Sequence, residues 1–269
     1  MGLELCVLAS GSSGNCIYVG SENTRILIDA GVSGKATVER LNSIGIDPES
    51  IDAICLTHEH DDHKASVGIL HRKLGVELYS NSGTIEALNR SSRFAGLPWN
   101  VFSTGHSFKI GDLMLEPFRV PHDSYDPVGF AVSCGTARIG VATDMGMATE
   151  LIRQRLKNCG VLVLEANHDE AMLKDSPRPW SLKQRIAGRQ GHLSNEKAGS
   201  LIVDVAGDSL QTVFLAHLSS DCNTPDLAVY AVKRELKRAA ISHIDIKLCY
   251  ASGPSELVRV GWGDESGRL

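Results

Sequence analysis

The 269-residue chain has no C-x-x-C pair, no apolar run long enough to span a membrane and no surplus of positive charge. Its seven cysteines (Cys6, Cys16, Cys55, Cys134, Cys159, Cys222 and Cys249) are odd in number and scattered, most of them in apolar strand-like runs. A free thiol there behaves as a small hydrophobe. This argues against a disulfide scaffold and for a reducing, cytoplasmic compartment. Without a long apolar stretch, no membrane partner is expected. Met1-Gly2-Leu3-Glu4-Leu5-Cys6 has neither the basic start nor the apolar core of a signal peptide. A net charge of −5 does not announce a nucleic-acid binder. There is no repeat of fixed period and no low-complexity linker. What remains is a globular composition, 42% hydrophobic and 22% charged, long enough to bury a sizeable core.

Strand and helix patterns alternate in two waves. Leu3 to Ala9, Cys16 to Val19 and Arg25 to Ile28 read as strands joined by Gly and Ser turns. Val38, Leu41 and Ile44 give Ser33 to Ile44 helical spacing. Further strands are expected at Asp52 to Thr57, Glu77 to Tyr79, Leu113 to Arg119, Gly129 to Ser133, Arg138 to Thr143, Val161 to Leu164, Thr212 to Ala216 and Ile244 to Tyr250. Helices are expected at Lys64 to Leu74, Thr149 to Lys157, Glu196 to Val205 and Asp226 to Ala239. Two sheets packed between helices is the natural layered arrangement of this α/β (α+β) pattern. One domain is expected over residues 1–260, with a loose tail over 261–269.

The chemistry concentrates in Thr57-His58-Glu59-His60-Asp61-Asp62-His63, where a strand gives way to a helix. A polar turn that caps a helix needs one such residue, and this turn has four in the pattern His-x-His-x-Asp-His. Imidazole and carboxylate together suit zinc, manganese or iron. His122, Asp144 and His217 each follow an apolar strand, where a rigid sheet brings distant parts of a chain together. Glu165-Ala166-Asn167-His168 also follows a strand, and Asn167 is as readily a helix cap as a site residue. Ser10, Ser12, Ser13 and Asn15 lie in a Gly-flanked turn that either binds an anion through backbone N–H groups or is a plain hairpin turn. Lys174, Arg178, Lys183, Arg185 and Arg189 fall in one segment with Trp180, and would meet a phosphate backbone while the indole stacks on a base. The alternative is a solvated helix with Trp180 in the core. A second basic run, Lys233, Arg234, Lys237 and Arg238, reads as a solvated helix face.

The order His-x-His-x-Asp-His, His, Asp, His resembles the metallo-β-lactamase superfamily over nearly the whole chain. Leu8-Ala9-Ser10-Gly11-Ser12-Ser13-Gly14-Asn15, Pro179 to Ile186 and Gly191-His192-Leu193-Ser194-Asn195 resemble its YycJ/WalJ branch of 5′-to-3′ exonucleases. The resemblance implies a four-layer αββα sandwich with two divalent metal ions at one edge. It implies His58, His60 and His122 on the first metal, Asp62, His63 and His217 on the second, and Asp144 between them. It further implies a metal-bridging hydroxide as nucleophile and His192 as proton donor, with Asp62 and Glu165 in the catalytic group. Ser12, Ser13, Asn15, His168, Lys183, Arg185 and Arg189 would contact substrate. Asp61 and Asp123 would orient the histidines or lie on the surface.

Departures from other branches narrow the reading. Asp144 stands where common class B β-lactamases carry cysteine, and His60 where flavodiiron proteins carry Glu. The interval from Asp144 to His217 is too short for a β-CASP insertion, and the Gly/Pro-rich arm of tRNA 3′-processing enzymes has no counterpart. The expected activity is hydrolysis of nucleic-acid phosphodiesters, DNA foremost. The alternatives are a small-molecule phosphodiesterase or thioesterase of the same fold, and a non-catalytic binding protein.

Overall fold

The computed structural model describes residues 2–261. The expected tail therefore lies outside the described residues from 262 onward. The first half runs β1 (Leu3–Ala9), β2 (Cys16–Gly20), β3 (Arg25–Ile28), α1 (Gly34–Ser43), β4 (Ala53–Cys55), α2 (Asp61–Lys64), α3 (Val67–Leu74), β5 (Glu77–Asn81), α4 (Ser82–Leu88) and β6 (Trp99–Phe102). The second runs β7 (Phe108–Ile110), β8 (Leu113–Arg119), β9 (Val128–Cys134), β10 (Ala137–Ala142), α5 (Glu150–Leu156), β11 (Val161–Glu165), α6 (Glu170–Asp175), α7 (Trp180–Ala187), α8 (Asn195–Val205), β12 (Thr212–Ala216), α9 (Pro225–Arg238), β13 (Asp245–Leu248) and β14 (Val258–Val260).

Two sheets form, in the orders β14-β1-β2-β3-β4-β5-β6 and β13-β12-β11-β10-β9-β8-β7. Each is antiparallel on one side and parallel on the other, with the change at β3 and at β10. Parallel neighbours need a crossover, and helices supply most of them. The sheets pack face to face with helices outside, giving the αββα sandwich.

Alternation along the strands explains the layering. In β1, Leu3, Leu5 and Val7 enter the core between the sheets, while Cys6 and Leu8 enter the core under the helices. In β11, Val161 and Val163 face the first and Leu162 and Leu164 the second sheet's helices. Strands buried on both faces read as continuous apolar runs, and those are the ones the sequence displays. All seven cysteines are buried and unpaired.

The expected helix from Lys64 to Leu74 is divided at Ala65 and Ser66, giving α2 and α3. The expected strand at Ile244 to Tyr250 is shorter, and Asp52 to Thr57 keeps only three strand residues. Three short strands, β6, β7 and β14, lie at or next to sheet edges, and their partly exposed residues break the alternation that marks the others.

Candidate metal centre

Every cluster residue sits just past the end of a strand. His58 to His63 follow β4, His122 follows β8, Asp144 follows β10, and His217 follows β12. Asp29, Asp144 and His217 take positive φ, at 64°, 55° and 55°. Non-glycine residues rarely adopt this conformation, and its cost is borne where geometry demands it. Here it turns the side chains off the strand ends toward one place.

Ligand atoms of His58, His60 and His122 lie within 4.8 Å of one another, as do those of Asp62, His63 and His217. Asp144 belongs to two further groups, one with His58 and His63, the other with Glu165, His192 and His217. The structure thus brings together all seven residues expected as ligands, with Asp144 between the two trios.

Acceptors on Nδ1 orient four of the rings. His122 Nδ1 is 3.2 Å from the Gly191 carbonyl, His63 Nδ1 is 2.7 Å from Asp29, His217 Nδ1 is 2.9 Å from Glu165, and His58 Nδ1 is 2.9 Å from the Thr57 hydroxyl. An N–H donated at Nδ1 leaves the lone pair on Nε2, the tautomer a metal ligand needs. His58 Nε2, His217 Nε2 and one oxygen of Asp144 are buried with no hydrogen-bond partner among the described residues. Burial of unpaired polar atoms is costly, and a cation among them removes that cost. The donor set fits two divalent ions.

Charge is held in an unusual state. Burial opposes ionisation of Asp144, yet His217 and His63 hold its carboxyl well below the usual carboxylate range. Burial also opposes the charge on Glu165, but His192 and His217 bring its pKa down to about 2. Glu165 accepts from His192 Nδ1 at 2.7 Å and from the backbone N–H groups of Met145 and Leu193. Burial depresses the His192 pKa, while the Glu165 carboxylate outweighs it and raises it overall. Asp144 and Glu165 are therefore anions at neutral pH, and His192 is poised to carry a proton.

A beta-lactamase superfamily domain matches residues 24–217. The chain belongs to the metallo-β-lactamase superfamily. It is 36% identical over 240 residues to an exodeoxyribonuclease YycJ of Bacillus anthracis, covering 88% of this chain and 90% of the relative. It is 34% identical over 258 residues to an exodeoxyribonuclease WalJ of Streptococcus pneumoniae, covering 94% and 96%. The metallo-β-lactamase fold protein YhfI of Bacillus subtilis superposes with a TM-score of 0.73 over 96% of this chain and 99% of its own, at 16% identity, which shows shared fold alone. As a metallo-β-lactamase superfamily member with this cluster, the chain is a metal-dependent hydrolase.

The remaining expected residues divide by location. The Asn15 amide is buried, accepting from Gly11 N–H and lying 3.3 Å from Asp62 Oδ2, so it holds the ligand loops together rather than facing a substrate. Ser12 and Ser13 are exposed and line a hollow of about 500 Å³ with Ser219, Ser220 and Thr224. Asp61 is a surface carboxylate paired with Lys64. Asp123 lies 3.5 Å from His122 Nε2 and accepts from Arg185, tying α7 to the centre. Arg189 contacts the Met147 sulfur and stays exposed. Lys183 donates to the Lys174 carbonyl, and His168 is buried beside it in the wall of a hollow under α7. Trp180 is 68% exposed and so is not a core residue. Asn167 is no cap: its amide donates to the His217 carbonyl, and Asp169 caps α6 instead.

Asp29 escaped the sequence analysis, and Thr57 and Ser10 were picked out there without the supporting roles they take here. Asp29 accepts from the Thr57 hydroxyl as well as from His63, and Ser10 Oγ accepts the His217 backbone N–H at 2.7 Å. Asp29 carried a signal, because Leu27-Ile28-Asp29-Ala30-Gly31 places an acid at a strand end just as Val141 to Gly146 does.

Proposed function

We propose that this chain is a dinuclear metal-dependent phosphodiesterase that degrades nucleic acid, acting on DNA as an exonuclease. The observation that carries the reading is the pair of converging trios with Asp144 between them, backed by the Glu165–His192 pair. The names of the two relatives support DNA as substrate, and the resemblance to their branch supports 5′-to-3′ polarity. The working unit is the single domain of residues 1–260, and a cytoplasmic location suits its unpaired thiols.

His58, His60 and His122 would hold one ion, Asp62, His63 and His217 the other, and Asp144 both. Zinc or manganese suits these nitrogen and oxygen donors, and iron is accommodated. Bound dications lower the pKa of water to near neutrality and neutralise charge on a phosphate. The chain's own residues supply the rest. Asn15 and Asp29 hold Asp62 and His63 in place. Glu165 fixes Nδ1 of His192, which leaves Nε2 free to deliver a proton to the leaving oxygen. A histidine whose charged form is favoured by a fixed carboxylate suits that task.

End-labelled DNA, end-labelled RNA and bis(p-nitrophenyl) phosphate, assayed side by side, test the reading. DNA should be shortened stepwise from its 5′ end. Asp144→Ala should lose metal, measured by elemental analysis, and lose turnover on all substrates while remaining folded. Hydrolysis confined to the chromogenic diester would favour the small-molecule alternative, and full metal content with normal turnover in Asp144→Ala would remove the site assignment.

A further inference from the structure

Beside the Glu165–His192 pair lies a hollow of about 320 Å³ whose walls are not needed for the hydrolysis just described. That volume is at the low end of the range for small-molecule sites. Its walls are apolar where Leu173, Ala187 and the Trp180 indole stand, and its rim carries Lys174, Lys183 and Lys197. None of these lysines forms an ion pair among the described residues, and the carboxylate in the lining, Glu170, accepts from the Ser194 hydroxyl. His168 closes the inner end. It is 1% exposed, neither ring nitrogen has a hydrogen-bond partner among the described residues, and Nδ1 is fully buried.

These features point to one kind of ligand. The wall offers a flat exposed aromatic, the rim offers unneutralised ammonium groups, and the inner end offers an unpaired polar ring. A nucleotide presents the complements: a flat base with a hydrogen-bonding edge, and an anionic phosphate. The placement also suits one. His168 lies three residues beyond Glu165 and its backbone pairs with Ser194, two residues beyond His192, so the segments that carry the hollow's inner end and the candidate proton donor run side by side. The lid, α7, buries no residue. It is pinned by Arg178 to Asp221, Arg185 to Asp123, and His192 N–H to the Ile186 carbonyl.

Resting on the nuclease reading, we propose that this hollow takes one unpaired nucleotide of the substrate strand, its base stacked on Trp180 with its edge at His168 and its phosphate at the lysine rim. Such a site holds the strand one nucleotide from the cut. It favours a frayed or single-stranded end, because a paired base cannot enter. Stacking is tolerant of base identity, so the preference is for unpaired structure more than for sequence.

Deoxyadenosine 5′-monophosphate and 2-deoxyribose 5-phosphate are the probes, titrated against the metal-loaded protein by calorimetry and by Trp180 fluorescence, with Trp180→Phe as the background. The nucleotide should bind about tenfold or more tightly than the abasic phosphate and quench Trp180. Trp180→Ala should remove most of that gap, and its exposed position leaves the fold intact, which circular dichroism checks. His168→Ala should narrow the gap as well. Lys197→Ala should weaken both ligands. Equal affinity for the two probes in the parent, or a gap unchanged by Trp180→Ala, overturns the proposal. Cleavage of DNA by the parent is scored separately. Its absence would sink the nuclease reading while the binding measurements still decide the hollow.

Discussion

At the level of single side chains, the centre is a set of histidines whose protons are already placed. Glu165 is the key member, because one oxygen accepts from two imidazoles, His192 and His217. His192→Ala should slow DNA hydrolysis about 10²- to 10⁴-fold, the usual contribution of a positioned acid. The same variant should slow bis(p-nitrophenyl) phosphate far less, since nitrophenolate leaves without a proton. Equal loss on both substrates, read from kcat, would assign His192 a role other than proton transfer. The residue pattern shows why the candidate ligands were legible and their supports were not. Four potential ligands in seven residues are hard to explain otherwise. Asp29, Thr57 and Ser10 are ordinary strand-end or turn residues, and only the fold brings them to His63, His58 and His217.

At the level of elements, the site depends on loops that approach closer than side chains allow. A Cβ on Gly31 would meet the Asp62 carbonyl oxygen at 1.6 Å, and that same oxygen accepts the Asn15 N–H at 2.7 Å. Three turns, those after β1, β3 and β4, therefore lock at a position where only glycine fits. Gly31→Ala should displace Asp62, lower metal content and cost about 1–3 kcal/mol of stability, as overpacking does. Thermal melting with metal analysis checks this, and unchanged metal content would show that the turn adapts. The core strands were readable because both faces are buried and each residue is apolar. The edge strands β6, β7 and β14 were not, because half-exposed residues carry no alternation. The helix α7 divides the basic segment into two faces: Lys183 under it toward the hollow, and Arg185 on Asp123 with Arg189 on the other side. Arg185→Ala with Arg189→Ala should lower the ratio of DNA to small-diester turnover and flatten its salt dependence, since fewer phosphate contacts release fewer counterions. A ratio equal to the parent's at every salt concentration would make that face structural.

For the molecule as a whole, each half of the chain builds most of one sheet, β14 returning from the second half to the edge of the first, and the two sheets meet at the centre. The first sheet's loops bring His58, His60, Asp62 and His63, and the second sheet's bring His122, Asp144, Glu165, His192 and His217. The pairing of halves was legible only as two waves of strands and helices, because strand order depends on contacts far apart in the chain. The division of ligands has a thermodynamic consequence. Ions held by both sheets would bind the folded state and not the unfolded one, and so would stabilise it by mass action. They would also screen the buried carboxylates of Asp144 and Glu165 from one another, and would give the buried, unpartnered atoms of His58, His217 and Asp144 a partner. Chelation should lower the melting temperature, with a free-energy loss of about 4 kcal/mol where the free metal had stood at a thousand times its dissociation constant. Restoring metal should restore the melt. In Asp144→Ala most of that response should vanish, because the residue between the two trios is gone. A parent protein that melts at the same temperature with and without chelator, at confirmed metal loss, would show that the sheets hold together through their apolar core alone.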